Sequence, residues 1–144
     1  MHDHPIHALK PRVGGVVLLR DDGAALLQHR DDKPGLPHAG LWVFPGGHCE
    51  PSEALDACAR RECFEETGYQ CGELHELETL YDLAVEGFPA IQLTVFWSRY
   101  DGVQRVDCRE GQALAFVARR EAAGHPMPDY LLRLWDAALA KIRQ

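Results

Sequence analysis

Three glutamates, Glu62, Glu65 and Glu66, stand at positions i, i+3 and i+4 of one predicted helix, Ser52 to Thr67, and that spacing puts them on one face. One and two turns earlier the same face is Ala54, Leu55, Cys58 and Ala59, so its first half is suited to packing and its second half carries charge. Like charges at this spacing repel, and a partly buried acidic face is a natural seat for a divalent cation. Ligands that are all oxygen favour hard ions, Mg2+ first and Mn2+ second, over zinc, which takes histidine and cysteine. His48 and Cys49 lie before the helix and lack a matching pair. An ion held this way neutralises phosphate oxygens and lowers the pKa of a bound water, which is the chemistry of phosphoanhydride hydrolysis.

The flanking residues frame that face. Phe44-Pro45-Gly46-Gly47 ends a short apolar run, and its two glycines let the backbone come close to a metal or a phosphate. Ser52 is the expected N-cap with Glu53 in the first turn, and Gly68 the expected left-handed C-cap. Arg61, two turns after Glu53 on a neighbouring stripe, is placed to pair with a carboxylate and fix its rotamer.

The whole segment from Gly47 to Tyr69, GHCEPSEALDACARRECFEETGY, resembles the signature of the Nudix hydrolases, G-x5-E-x7-R-E-U-x-E-E-x-G-U, in which U is a bulky aliphatic residue. Gly47, Glu53, Arg61, Glu62, Glu65, Glu66 and Gly68 match every fixed letter; Cys63 and Tyr69 stand at the two U positions, and Ser52 replaces the glycine common before the first glutamate. The resemblance implies an α/β fold, an α/β/α sandwich with a central mixed β-sheet. It also implies that Glu62, Glu65 and Glu66, with the backbone carbonyl of Gly46, bind the ions, while Glu53 and Arg61 support the loop. A further acidic residue from a distal loop often joins them in this family, and Glu110, in the acidic turn Arg109-Glu110-Gly111-Gln112 before an apolar strand, is the best positional candidate. Glu62 is the first choice for the group that takes the proton from the attacking water, and Glu110 the second.

On these grounds the expected function is a Mg2+-dependent pyrophosphohydrolase that cleaves a phosphoanhydride bond of a nucleoside diphosphate linked to X, foremost a standard or modified nucleoside triphosphate. Candidate substrate contacts are Arg30, a local positive charge, Trp42 and Phe44, with faces for base stacking, and Gly47. Tyr81 and Phe88 are further aromatic candidates. Residues that announce X in family subgroups are missing, since Ala84 occupies the place of a marker proline and Tyr81 comes too early for a marker tyrosine. A non-catalytic nucleotide sensor of the same fold is the first alternative, although such domains usually lose signature glutamates. An isoprenoid-diphosphate isomerase is the second, but it needs a catalytic cysteine outside the box, and the context of Cys108 does not resemble that site.

The chain of 144 residues reads as one domain, 1–144, with 1–11 as a flexible N-terminal tail containing the cluster His2, His4 and His7. A net charge of −7 gives no overall attraction to nucleic acid or anionic membrane, so the expected partner is a small nucleotide; a homodimer is compatible with this. Five cysteines without a C-x-x-C pair fit reduced thiols and a cytoplasmic location.

The elements that must position the acidic face can be read in outline. Arg12 to Gln28 reads as two strands joined at Asp21-Asp22-Gly23. Asp31 to Gly40, rich in proline and glycine, is a loop and a candidate lid or substrate rim before the strand Leu41 to Phe44. Leu74 to Val85 and Ile91 to Tyr100 are strands joined through Glu86-Gly87-Phe88-Pro89, the second apolar enough to be covered on both faces. Ala113 to Val117 is a strand, and Pro128 to Ile142 an amphipathic helix that covers one sheet face.

Overall fold

Gly23 takes a φ of 88°, and the N–H of Ala24 donates to Asp22 Oδ1 at 3.1 Å, which turns the chain between β1 (Arg12–Leu19) and β2 (Ala25–His29) at the expected residues. The computed structural model describes residues 10–144; the histidine cluster His2, His4 and His7 lies outside them. Lys10 and Pro11, expected in a flexible tail, are tied down: Lys10 Nζ reaches Asp82 at 2.9 Å, and the Pro11 carbonyl accepts from the N–H of Gln92. After the hairpin come β3 (Trp42–Val43), β4 (Gly46–His48), α1 (Leu55–Thr67), β5 (His75–Val85), β6 (Phe88–Arg99), β7 (Ala113–Val117), a 3-10 helix (Arg119–Gly124) and α2 (Asp129–Ile142).

One mixed sheet collects the strands in the order β3-β2-β1-β6-β5, with β4 paired to β1 and β7 to β2. β1 runs parallel to β6 over its whole length and antiparallel to β2 and β4. Successive side chains of a strand point to opposite faces, so β1 feeds two cores at once. Val17 and Leu19 join Leu131, Leu134, Trp135 and Ala138 of α2, whereas Val16 and Leu18 join Ala59 and Cys63 of α1. Helix, sheet and helix thus form three layers, and β6, buried from Leu93 to Ser98, is covered on both faces as its composition suggested. Trp135 is wholly buried and satisfies its indole N–H on the Gly23 carbonyl at 3.1 Å.

Three local expectations need correction. The helix starts at Leu55 with Ala54 as N-cap, so Ser52 does not cap it and Glu53 precedes it. The cause is Arg12, whose guanidinium takes the carbonyls of Glu50, Pro51 and Glu53 at 2.9, 3.3 and 3.0 Å, so the Glu53 carbonyl does not enter the helical ladder; the N–H of Ala57 turns to Asp56 Oδ1 instead. The β5–β6 turn is only Glu86-Gly87, because Gly87 adopts a φ of 82° and lets Phe88 pair directly with Val85. Finally, Cys49 and Cys58 form a disulfide, contrary to the expectation of reduced thiols, while Cys63, Cys71 and Cys108 are free. The pairing follows from the packing of α1 on β4, which brings the two Cα atoms to 5.2 Å.

β5 ends the sheet, and its ladder with β6 slips at Glu76/Glu78, Leu80/Leu83 and Leu83/Val85.

Candidate active site

The acidic helix reaches its place through two glycine contacts. A Cβ on Gly14 of β1 would sit 3.0 Å from the backbone nitrogen of Ala59, so α1 lies directly on the strand. A Cβ on Gly46 would collide with the Gly14 carbonyl, and one on Gly47 with the Glu62 carboxylate. Gly47 therefore leaves the space in which Glu62 sits, and Gly46 the space in which β4 lies against β1. Gly68 closes the helix in the left-handed conformation at a φ of 76°, as expected, and its N–H donates to the Phe64 carbonyl. At the two U positions Cys63 and Tyr69 are buried at 0% and 1% exposure, filling the apolar role of the aliphatic residues they replace.

A cavity of about 400 Å³ opens between this helix, the sheet and the start of α2, and Glu62, Glu66 and Glu110 all line it, with Gly46, Gly47, Arg30 and Phe44. Glu66 is 3% exposed; its Oε1 accepts the N–H of Gly46 at 3.0 Å, and its Oε2 has no hydrogen-bond partner among the described residues. Burial, with Glu110 and Glu62 nearby, pushes its carboxyl up to about 8, against the Gly46 N–H and Arg30, which favour the charged form. Glu62 is also raised, by burial first and by Glu65 and Glu110, with Arg61 opposing.

Glu110 arrives from a loop stitched to both neighbours. Arg109 N–H donates to the Glu66 carbonyl at 3.1 Å and Gln112 N–H to the His29 carbonyl at 2.7 Å, while the Gln28 amide holds the Glu110 carbonyl.

Arg61 performs the pairing expected of it. Its Nε and Nη2 grip both oxygens of Glu53 at 2.7 and 2.8 Å, and Nη1 donates to Glu62 at 2.9 Å and to Glu65 at 3.2 Å. These bonds raise the guanidinium pKa, Glu53 foremost, and hold Glu53 down at about 2. Glu65 departs from the expected convergence. Its side chain is 55% exposed and bonded to Arg61, and it does not line the cavity, which Glu62 and Glu66, one turn apart, share.

Of the substrate candidates, Arg30, Phe44 and Gly47 line the cavity and Trp42 does not. Trp42 stacks on His29 at 4.6 Å and meets the edge of His125 at 4.9 Å, so its faces serve packing. Tyr81 is 70% exposed and outside the cavity, whereas Phe88 lines it. The sequence reading missed His38 and Tyr130, which also line it. His38 lies in the loop expected as a lid or substrate rim, and Tyr130 on the helix whose apolar stripe is the legible feature.

The donor set fits a hard divalent ion. Three carboxylates face one cavity, and nearly buried Glu66 has a single N–H as neutralising contact and an oxygen to spare. Among the described residues no three acidic, histidine or cysteine side chains already stand in an ion-binding group; Glu62 is held by Arg61 and Glu66 by Gly46.

The NUDIX domain family model matches residues 8–135, and the chain belongs to that family. A CTP pyrophosphohydrolase of Escherichia coli (strain K12) is 30% identical over 123 residues, covering 85% of this chain and 87% of that protein. An RNA pyrophosphohydrolase of Caulobacter vibrioides (strain NA1000 / CB15N) is 43% identical over 74 residues, covering 50% of this chain but 38% of that protein. Among solved structures, the E. coli ORF135 protein superposes with a TM-score of 0.70 at 27% identity, covering 93% of this chain and 92% of that one. The two named relatives are hydrolases of acid anhydrides by name.

Proposed function

We propose that this chain, as a single domain over residues 1–144, is a Mg2+-dependent pyrophosphohydrolase, with Mn2+ as the alternative ion. It cleaves a phosphoanhydride bond of a nucleoside diphosphate linked to X, foremost a standard or modified nucleoside triphosphate. The observation that carries the reading is the convergence of Glu62, Glu66 and Glu110 on one cavity with Gly46, Gly47 and Arg30. The pyrophosphohydrolase names of the relatives point the same way. A cytoplasmic setting belongs to this reading on the strength of the nucleotide substrate and the free Cys63, Cys71 and Cys108, with the Cys49–Cys58 disulfide standing against it.

Divalent ions, when bound, neutralise phosphate oxygens and supply a water of lowered pKa. Glu62, Glu66, Glu110 and the Gly46 carbonyl are the groups to hold them, and Glu65 would join them only by leaving Arg61 and turning inward. Arg30, whose Nε is fixed on the Pro37 carbonyl at 2.8 Å, has guanidinium N–H groups left to pair with a phosphate. Arg61 fixes Glu62, which takes the proton as water attacks phosphorus, with Glu110 as second choice. The bridging P–O bond then breaks, and the two phosphate products carry off the oxygens of the water and the former bridge.

Phosphate release with added pyrophosphatase is the test, across nucleoside triphosphates, oxidised nucleotides, nucleotide sugars and dinucleoside polyphosphates in Mg2+ and Mn2+, with Glu66→Gln as the blank. A second phosphatase reports monoester products. Metal-dependent turnover of one class is the expected result. Silence across the panel with tight nucleotide binding replaces the hydrolase by a sensor.

A further inference from the structure

Three polar side chains of the cavity, His38, His48 and Tyr130, have no part in the phosphate chemistry, and two of them are paired. His38, from the loop before β3, and Tyr130, from the first turn of α2, both line it. The tyrosine hydroxyl and His38 Nε2 lie 3.2 Å apart, with the rings tilted at 51°. Among the described residues His38 is the sole non-glycine with positive φ, at 55°, and such backbone strain persists only where the surroundings enforce it. Part of that enforcement is visible: Arg30 Nε grips the carbonyl of Pro37, one residue before His38.

Both groups are neutral near pH 7. Burial first, and Arg30 second, hold the His38 imidazole below its ordinary value, and burial pushes the Tyr130 hydroxyl up to about 12. The charge of Arg30 is felt at His38, Tyr130 and Glu66 alike, and all four line the one cavity. An anion is drawn to Arg30 and to the metal ions that the glutamates would hold. What remains for a neutral pair beside the apolar walls of Val43, Phe44, Phe88 and Ile91 is an uncharged ring with polar edges.

We infer that His38 and Tyr130 form the element that reads the nucleobase, hydrogen-bonding the edge of a heteroaromatic ring lodged against those apolar walls. The inference rests on the proposed nucleotide reading of the site, but it concerns binding rather than turnover. The pair shares one hydrogen bond internally and has two ways to do so. With tyrosine as donor, Nε2 accepts and Nδ1–H is left to donate; with Nε2–H as donor, Nδ1 accepts and the hydroxyl proton is left to donate. Exchange between these arrangements lets one pair meet either a carbonyl edge or an amino edge, and it favours tolerance among bases over strict choice.

The test uses the full chain with His38→Asn, since asparagine accepts left-handed backbone, and Tyr130→Phe, which keeps the ring and removes the hydroxyl. Calorimetry with Ca2+ compares ATP, GTP, CTP and UTP with inorganic tripolyphosphate, which has no base. The wild-type chain should bind at least one nucleotide about tenfold more tightly than tripolyphosphate, and each variant should lose about tenfold on that nucleotide while tripolyphosphate binding stays unchanged. Equal losses on nucleotide and tripolyphosphate, no loss in either variant, or a wild-type chain that does not prefer nucleotides would each overturn the inference. Turnover in Mg2+ on the same samples separates the two claims. Base-dependent binding without turnover rejects the hydrolase and keeps the pair; turnover with base-blind binding does the reverse.

Discussion

Glu66 is the residue on which structure and chemistry conflict most. An ordinary glutamate titrates near 4.5, and this one is pushed up to about 8 by burial and by its acidic neighbours. A carboxyl whose folded pKa is raised destabilises the fold in proportion to the charge forced on it. The penalty is absent below about pH 4.5, grows as pH rises and is complete above about pH 8. Glu66→Gln keeps the shape and the acceptor for Gly46 without the charge. Its melting temperature in a chelator should exceed that of the wild type by about 5–10 °C at pH 8 and equal it at pH 4, while turnover in Mg2+ falls by several orders of magnitude. Melts at the two pH values check the first statement and phosphate release the second; a variant less stable at pH 8 would sink the account of its burial. Spacing alone made the face of Glu62 and Glu66 legible. The outward turn of Glu65 was not legible, because it depends on Arg61 bonding three carboxylates at once.

At the scale of elements, the seam between α1 and β1 governs where the glutamates stand. Gly14 brings backbone against backbone there, with Ala59 N at 3.0 Å and Cys58 Sγ at 3.2 Å from where a Cβ would lie. Gly14→Ala should push the helix off the strand at a cost of about 1–3 kcal/mol, and should lower activity further than that loss explains, because Glu62 and Glu66 move with the helix. Comparison of chemical denaturation with kcat/KM measures both effects; a variant as active and stable as the wild type would show that the seam is slack. Period and turn residues revealed α2, the β1–β2 hairpin and β7 in advance. The first turn of α1 escaped because its fate depends on Arg12, distant in sequence, capturing the carbonyls of Glu50, Pro51 and Glu53. Local signals at Ser52 carry no trace of that.

For the whole molecule, stability rests on two cores and one covalent link. The Cys49–Cys58 disulfide closes a separation of nine residues, and a loop of that size adds about 2–3 kcal/mol. Cys49→Ser should lower the denaturation free energy by that amount, dithiothreitol should do the same to the wild type, and the variant should ignore dithiothreitol; a wild type indifferent to reductant would contradict the link. The layered α/β class and the family signature were readable from residues 47–69, whereas the sheet order was not. Nothing local in β1 or β6 says that they run side by side in parallel, since that pairing joins distant parts of the chain. The edge at β5, unpaired by any strand among the described residues, carries a last consequence. Its ladder slips three times along its length, so the outward N–H and C=O groups never keep one phase for long. A strand offered by another copy would meet a break in register within a few residues, which makes this edge a poor template for strand addition.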